Sequence, residues 1–202
     1  MSTNLTAIST STDPIELFTE WFEFAKKHAN MPEPGAMCLS TIDANGNPNA
    51  RIVLLKGVDE RGFVFYTNFE SVKGQELTTI PQAALTFYWP HLYRQVRVQG
   101  TVSPVSTQEA DMYFRTRPRG SQLSAHASHQ SRILEDPHDL KKAYDMYATQ
   151  FEGKPVPRPT QWSGFRVVPA TIEFWQAGDF RLHDRWKFTR QDYGWDLVKL
   201  YP

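Results

Sequence analysis

The stretch AMCLSTIDANGNPNARIVLLKGVDERGFVFYT, residues 36–67, decides the fold class. Three apolar runs, Ala36 to Ile42, Arg51 to Val58 and Phe63 to Thr67, have strand length. Between them stand Asp43-Ala44-Asn45-Gly46 and Asp59-Glu60-Arg61-Gly62, clusters that favour turns because Asx side chains bond their own backbone and glycine accepts a positive φ. Short strands punctuated in this way indicate an antiparallel sheet or barrel.

The pattern extends in both directions. Ala83 to Trp89, Tyr93 to Val105, Gly164 to Val168, Thr171 to Trp175, Arg185 to Thr189 and Trp195 to Tyr201 are predicted strands. Upstream, Asp13-Pro14-Ile15-Glu16 predicts a helix start, with Asp13 as N-cap and Pro14 at the first helical position. Leu17, Phe18, Trp21, Phe22 and Ala25 then form one apolar face. Further helical stretches are expected near Ser71 to Leu77, at Thr107 to Arg115 and at Asp139 to Phe151. Gln122 to Ser131 is small and polar and predicts a cofactor- or solvent-facing loop. Pro155-Val156-Pro157-Arg158-Pro159 predicts a loop and not a domain linker, because strands resume directly after it. The expectation is a mainly β (α+β) chain: one barrel domain with peripheral helices over residues 13–202, preceded by a flexible tail over residues 1–12.

Bulk properties set limits. With 22 basic and 22 acidic residues in 202, no global field favours nucleic acid or an anionic membrane, so any anion site must come from local clustering. The single cysteine, Cys38, lies in an apolar run and is expected to be a buried structural thiol. No signal-peptide pattern or apolar membrane-spanning run is present, which predicts a reducing, cytoplasmic setting.

No metal is expected, because the six histidines are scattered and one cysteine gives no zinc spacing. Gly-x-Ser-x-Gly, P-loop and Gly-x-Gly-x-x-Gly motifs are also missing, so a nucleotide-type cofactor would need another phosphate cradle. Arg51 and Lys56 end one strand and, five apart, point to opposite faces of a regular strand; they serve two anions or simply reach water. Ser71-Val72-Lys73-Gly74 opens a helix, which is either an anion site or an ordinary cap. Tyr113-Phe114-Arg115-Thr116-Arg117-Pro118-Arg119-Gly120-Ser121 suits a phosphomonoester, or is a solvated basic helix end. On a strand, Arg181, His183 and Arg185 share one face. Burying three basic groups without anions is costly, so they are expected to line a site, with Trp175 offering a ring for a flat cofactor.

Six pieces in order, RIVLLK (51–56), FYTN (65–68), RQVRVQG (94–100), YFRTRPRGSQ (113–122), EFWQ (173–176) and RLHDR (181–185), resemble the pyridoxamine 5'-phosphate oxidase family. The resemblance spans about Asp13 to Pro202. It implies a flavin mononucleotide (FMN)-binding split β-barrel, working as a homodimer with two FMN sites at the subunit interface. Arg51 and Lys73 would bind the flavin phosphate, while Ile52, Val53, Leu54, Lys56, Tyr66 and Thr67 would line the flavin. Gln95, Gln130, Ser131, Trp175 and Arg185 would complete that site, partly from the second subunit. Lys56, Tyr113, Arg117 and Ser121 would hold the substrate phosphate, and Arg181 and His183 would act over the pyridine ring. The implied reaction takes pyridoxamine or pyridoxine 5'-phosphate and O2 to pyridoxal 5'-phosphate and H2O2. Val72 stands where the family usually has a second basic residue, and the N-terminal Arg-x-x-Tyr segment of longer members is not found in Met1 to Thr12. A phenazine-type flavin oxidase of the same fold, or a non-catalytic flavin or pyridoxal-phosphate binding module, are the alternative readings.

Overall fold

The computed structural model describes residues 8–202; Met1 to Ala7, most of the expected tail, lie outside the described residues. Ile8 packs against the core, and Ser9 and Thr12 close a turn by two hydrogen bonds of 3.0 Å. Helix α1 (Pro14–His28) starts where expected, with the Asp13 carboxylate accepting from the N–H groups of Ile15 and Glu16. Lys26, Lys27 and His28 occupy its last turn, where cations complement the helix dipole.

Nine strands follow: β1 (Ala36–Ile42), β2 (Pro48–Leu54), β3 (Gly57–Asp59), β4 (Gly62–Asn68), β5 (Gln82–Trp89), β6 (Arg94–Pro104), β7 (Trp162–Gln176), β8 (Asp184–Arg190) and β9 (Trp195–Lys199). Every pairing is antiparallel, and the main path runs β2-β1-β5-β6-β7-β4-β3. β7 is the hub. It pairs with β6 along almost its whole length, with β4 over its first half and with β8 over its second. The sheet therefore curls and divides about β7, giving a split barrel. The register shifts at Gln99/Gly100 opposite Pro169, a bulge that adds local bend. A Cβ on Gly100 would lie 1.9 Å from the Val168 carbonyl oxygen, so only glycine fits there.

The core fills the curl. Phe18 of α1 meets Phe63 edge-on at 4.8 Å and Phe87 at 4.9 Å, and Trp21 meets Phe174 at 5.2 Å. Such ring pairs add about 0.5–1.5 kcal/mol each beyond area burial. Helices α2 (Val72–Thr79), α3 (Thr107–Thr116), α4 (Arg119–Ala127) and α5 (Asp139–Gln150) surround the sheet.

Five sequence expectations are corrected. Arg51 to Val58 is not one strand, because pairing with β1 ends at Leu54 and the chain re-enters the sheet at Gly57 beside β4. Gly164 to Val168 and Thr171 to Trp175 are one strand, which the bulge carries through Pro169. The first part of the expected Gln122–Ser131 loop is helical, within α4. Residues 181–183 precede β8 and are not strand; Arg181 ends a 3-10 turn (Asp179–Arg181), so the shared-face argument for Arg181, His183 and Arg185 fails. Finally, Cys38 is only half-buried. In β1 the inward positions are Met37, Leu39 and Thr41, and the strand's alternation puts Cys38 on the other face.

Candidate functional site

A cleft of about 800 Å³ opens between residues of strands β2 and β4 and helices α2, α3 and α4. It is within the size range of cofactor pockets. Of the residues expected at a site, it gathers Ile52, Val53, Leu54, Lys56, Tyr66, Thr67, Lys73, Tyr113, Arg117, Ser121 and Gln130. The break after Leu54 leaves Lys56 exposed in this cleft.

One end is aromatic and cationic. Tyr66 of β4 stacks on Tyr113 of α3 at 4.0 Å, with planes 11° apart, and on Trp162 at 5.3 Å, with planes 6° apart. The Arg117 guanidinium lies 4.6 Å from the centre of the Trp162 ring. Arg117 Nη1 is buried and has no hydrogen-bond partner, and burial pushes the guanidinium pKa below its usual value. Such an orphan donor costs free energy, and an anion in the cleft would satisfy it. Lys56, Tyr113 and Ser121 line the same cleft, so its donors and cations suit a phosphomonoester. Burial also raises the hydroxyl pKa values of Tyr66 and Tyr113, keeping them protonated donors.

The other end centres on the first turn of α2. Ser71 caps it, accepting from the Gly74 N–H, and Lys73 Nζ lies 3.4 Å from Ser71 Oγ and 3.1 Å from Gln130 Oε1. Gln130 Oε1 also accepts from Thr67 Oγ1 at 3.2 Å. The Lys73 pKa is lowered by burial first and by the Arg51 charge second. Lys73 beside a helix N-terminus fits a second anionic group. Arg51 itself does not line the cleft. It donates to Glu76 Oε2 at 3.0 Å, to Thr41 Oγ1 and to the Leu39 carbonyl. Glu76 accepts from Thr41 and Asn49 as well; burial raises its pKa, but these bonds and the Arg51 charge outweigh that and leave it low. Sequence reasoning missed Glu76, because a partner 25 residues from Arg51 leaves no local pattern. It also missed Asn68 and Trp162 in the cleft wall.

Apart from Ser131, the remaining expected residues form a second cluster. Gln95, Trp175 and Arg185 are register partners across β6, β7 and β8. His183 lies 4.7 Å from Trp175, ring centre to ring centre, and its Nδ1 accepts from the Gly178 N–H at 3.2 Å. That bond places the proton of a neutral imidazole on Nε2. Arg185 grips Glu173 Oε1 through Nε and Nη2 at 2.9 and 2.8 Å. Phe180 and Arg181 have φ values of 54° and 64°, a left-handed conformation that costs non-glycine residues about 1–3 kcal/mol and concentrates at functional sites. Gln95, Trp175, Arg181, His183 and Arg185 do not line the main cleft. Ser131 follows Gln130 and lines a neighbouring hollow with Ile133 and Leu140.

Residues 24–151 match the family model described as pyridoxamine 5'-phosphate oxidase, and residues 162–202 match the pyridoxine 5'-phosphate oxidase C-terminal dimerisation region. The chain belongs to the pyridoxamine 5'-phosphate oxidase family. It is thereby a member of an oxidoreductase family, and its second cluster, Gln95 apart, lies within the dimerisation region. A pyridoxine/pyridoxamine 5'-phosphate oxidase of Caulobacter vibrioides is 53% identical over 191 residues, covering 94% of this chain and 85% of the relative. The namesake from Rubrobacter xylanophilus is 52% identical over 190 residues, covering 94% and 87%. Among solved structures, PhzG from Burkholderia lata, in complex with tetrahydrophenazine-1-carboxylic acid, superposes with a TM-score of 0.89 at 29% identity, covering 98% of this chain and all of that one. A pyridoxamine 5'-phosphate oxidase-related, FMN-binding protein from Nostoc punctiforme shares the fold, with a TM-score of 0.77 at 15% identity over 96% of this chain and 100% of that one. Among the described residues, no helix is long and apolar enough to cross a membrane.

Proposed function

We propose that this chain oxidises pyridoxamine or pyridoxine 5'-phosphate to pyridoxal 5'-phosphate with FMN and O2, releasing H2O2 and, from the amine, consuming water and releasing ammonia. The observation that carries the reading is the buried, unpartnered Arg117 Nη1 in a cleft shared with Lys56, Tyr113 and Ser121, a donor set with room for a phosphate. Lys73, Ser71 and the α2 N-terminus, with Arg51 behind them, would hold the FMN phosphate, and Ile52, Val53, Leu54, Tyr66 and Thr67 would flank its ring and ribityl chain.

When bound, FMN would supply the two-electron redox chemistry between the substrate carbon and O2. The protein binds and orients. Clamping the remote phosphate uses binding energy to fix the reacting carbon. Arg181 and His183 would act by orientation and charge, His183 presenting a proton at Nε2 while Gly178 holds Nδ1. Both lie outside the main cleft, which supports a homodimer in which the Trp175–Arg185 cluster of one copy completes the cleft of the other. A cytoplasmic setting fits this chemistry.

The test is the visible spectrum of the purified protein with FMN, before and after anaerobic addition of pyridoxamine 5'-phosphate. Bleaching of the flavin band is expected; an unchanged spectrum at flavin saturation would overturn the reading. The similarity to PhzG favours one second reading, oxidation of a tricyclic ring. Lys56, Arg117 and Ser121 argue against it, since a substrate lacking phosphate has no use for them. Faster bleaching by a reduced phenazine carboxylate than by the B6 phosphate would establish it. Tight pyridoxal-phosphate binding without any flavin binding would indicate a non-catalytic module instead.

A further inference from the structure

The Pro-rich segment at residues 155–159 has no role in the site as described so far, yet it carries a half-buried arginine with two short bonds. Arg158 Nε donates to Asp111 Oδ1 at 2.6 Å, and Nη1 donates to the Trp162 carbonyl oxygen at 2.7 Å. Its side chain is 14% exposed, against 38% for Asp111. Asp111 is two residues before Tyr113 on α3, and Trp162 opens β7. Arg158 thus ties together the two elements whose rings stack on Tyr66, and Arg117 rests on one of those rings. The segment is anchored elsewhere too: Pro157 O contacts His126 Nε2 at 2.7 Å, Trp162 N–H donates to Pro159 O, and Arg119 donates to the Lys154 and Phe151 carbonyls. Proline restricts the backbone on both sides of Arg158, so the guanidinium is delivered in one place.

We propose that Arg158 is a positioning residue for the phosphate end of the cleft: by bridging Asp111 and the Trp162 carbonyl, it sets the Tyr113–Trp162 platform on which Arg117 is aimed. The inference rests on the assignment of Arg117 and Tyr113 to the substrate phosphate. A planar fork can serve a carboxylate and a carbonyl in two directions at once, which a lysine ammonium on one flexible stem does not reproduce. Arg158 lies outside the α2 anion site, so the grip on the FMN phosphate does not run through it.

The experiment compares Arg158→Met, which keeps an apolar stem, and Asp111→Asn, at a more exposed position, with the wild type. Steady-state KM and kcat for pyridoxine 5'-phosphate, the Kd for FMN and the Tm are measured on the flavin-loaded protein. Each variant is expected to raise KM about tenfold while kcat and FMN Kd stay within about twofold. The double variant is expected to be no worse than Arg158→Met alone, because both act through one contact. Unchanged KM in both single variants, or FMN Kd rising in step with KM, would overturn the inference, as would fully additive effects in the double variant. A wild type that neither binds nor oxidises the phosphorylated substrate would overturn the proposed function and this inference with it. A competent wild type with unaffected variants would overturn this inference alone.

Discussion

The Arg117 guanidinium lies over Trp162, 4.6 Å from its ring centre, with Nη1 buried and unpartnered. The contact with the ring recovers part of the cost of burying the charge, but the donor stays unsatisfied, and the proposed substrate phosphate would pair it. Arg117→Met should therefore raise the Tm of the ligand-free protein while weakening substrate phosphate binding by about tenfold or more, the worth of a charged hydrogen bond. Differential scanning calorimetry and KM for pyridoxine 5'-phosphate check the two halves. A variant with lower Tm and unchanged KM would contradict both.

Lys73 gives a pH dependence with a definite sign. Burial and the Arg51 charge depress its pKa in the free protein, so it loses its proton at lower pH than an ordinary lysine. Between the depressed and ordinary values the unfolded chain binds more protons, and Lys73's contribution to stability rises with pH across that window. Anion binding has the opposite preference, for charged Lys73. FMN affinity should fall as pH rises through the depressed pKa, whereas riboflavin, which lacks the phosphate, should show a smaller fall. Lys73→Ala should weaken FMN about tenfold or more at neutral pH and flatten the slope, as measured by fluorescence titration.

Glu76 acts on the same end of the cleft from beneath. Its carboxylate is buried and fully bonded by Arg51, Thr41 and Asn49, and its folded pKa is depressed. That contribution to stability is complete above the unfolded carboxylate pKa and is lost as pH falls through the folded value. Glu76→Ala strands Arg51 without its partner and should cost about 3 kcal/mol at neutral pH. In urea titrations, the difference from wild type should shrink on acidification. A constant difference down to acid pH would show that the carboxylate charge is not what matters.

Arg181 is held in a left-handed conformation just after Phe180, in the same state. Arg181→Gly removes the conformational penalty, and Arg181→Ala keeps it. Both should cut turnover far more than flavin retention, since the proposed flavin-phosphate groups are on α2, while the glycine variant should be the more stable of the two by about 1 kcal/mol. Flavin loss with unchanged activity per bound flavin would refute that division of labour.

Strands and turns were legible where local chemistry dictates them. Asp13 and Pro14 set the start of α1, and Gly46 and Gly62, at φ of 86° and 131°, mark two of the turns. Ser71 marked the α2 cap. What stayed hidden depends on distant partners. The alternation of Arg181, His183 and Arg185 mimicked a strand, but two left-handed residues and a 3-10 turn break the period before β8 begins. α4 escaped notice because its small and polar residues give little apolar signal; only Gln122, Leu123 and Ala127 are buried. The residues offered the segments of Lys73 and Arg117 as candidate anion sites and the motif resemblance implied an anion for each, whereas Glu76 and Arg158 emerged only from the folded geometry.

The place of β7 as hub has a consequence for synthesis on the ribosome. Its first half pairs with β4, about a hundred residues upstream, and its second half with β8. A nascent chain that has released β1 to β6 still lacks the strand that joins β6 to β4, and both edges remain open until residue 176 emerges. Such non-local pairing makes closure late and leaves unpaired edges available to wrong partners. Stalled chains ending before Trp162 should therefore remain protease-sensitive throughout β4 and β6, and those from which Gln176 has emerged should gain protection in both strands together.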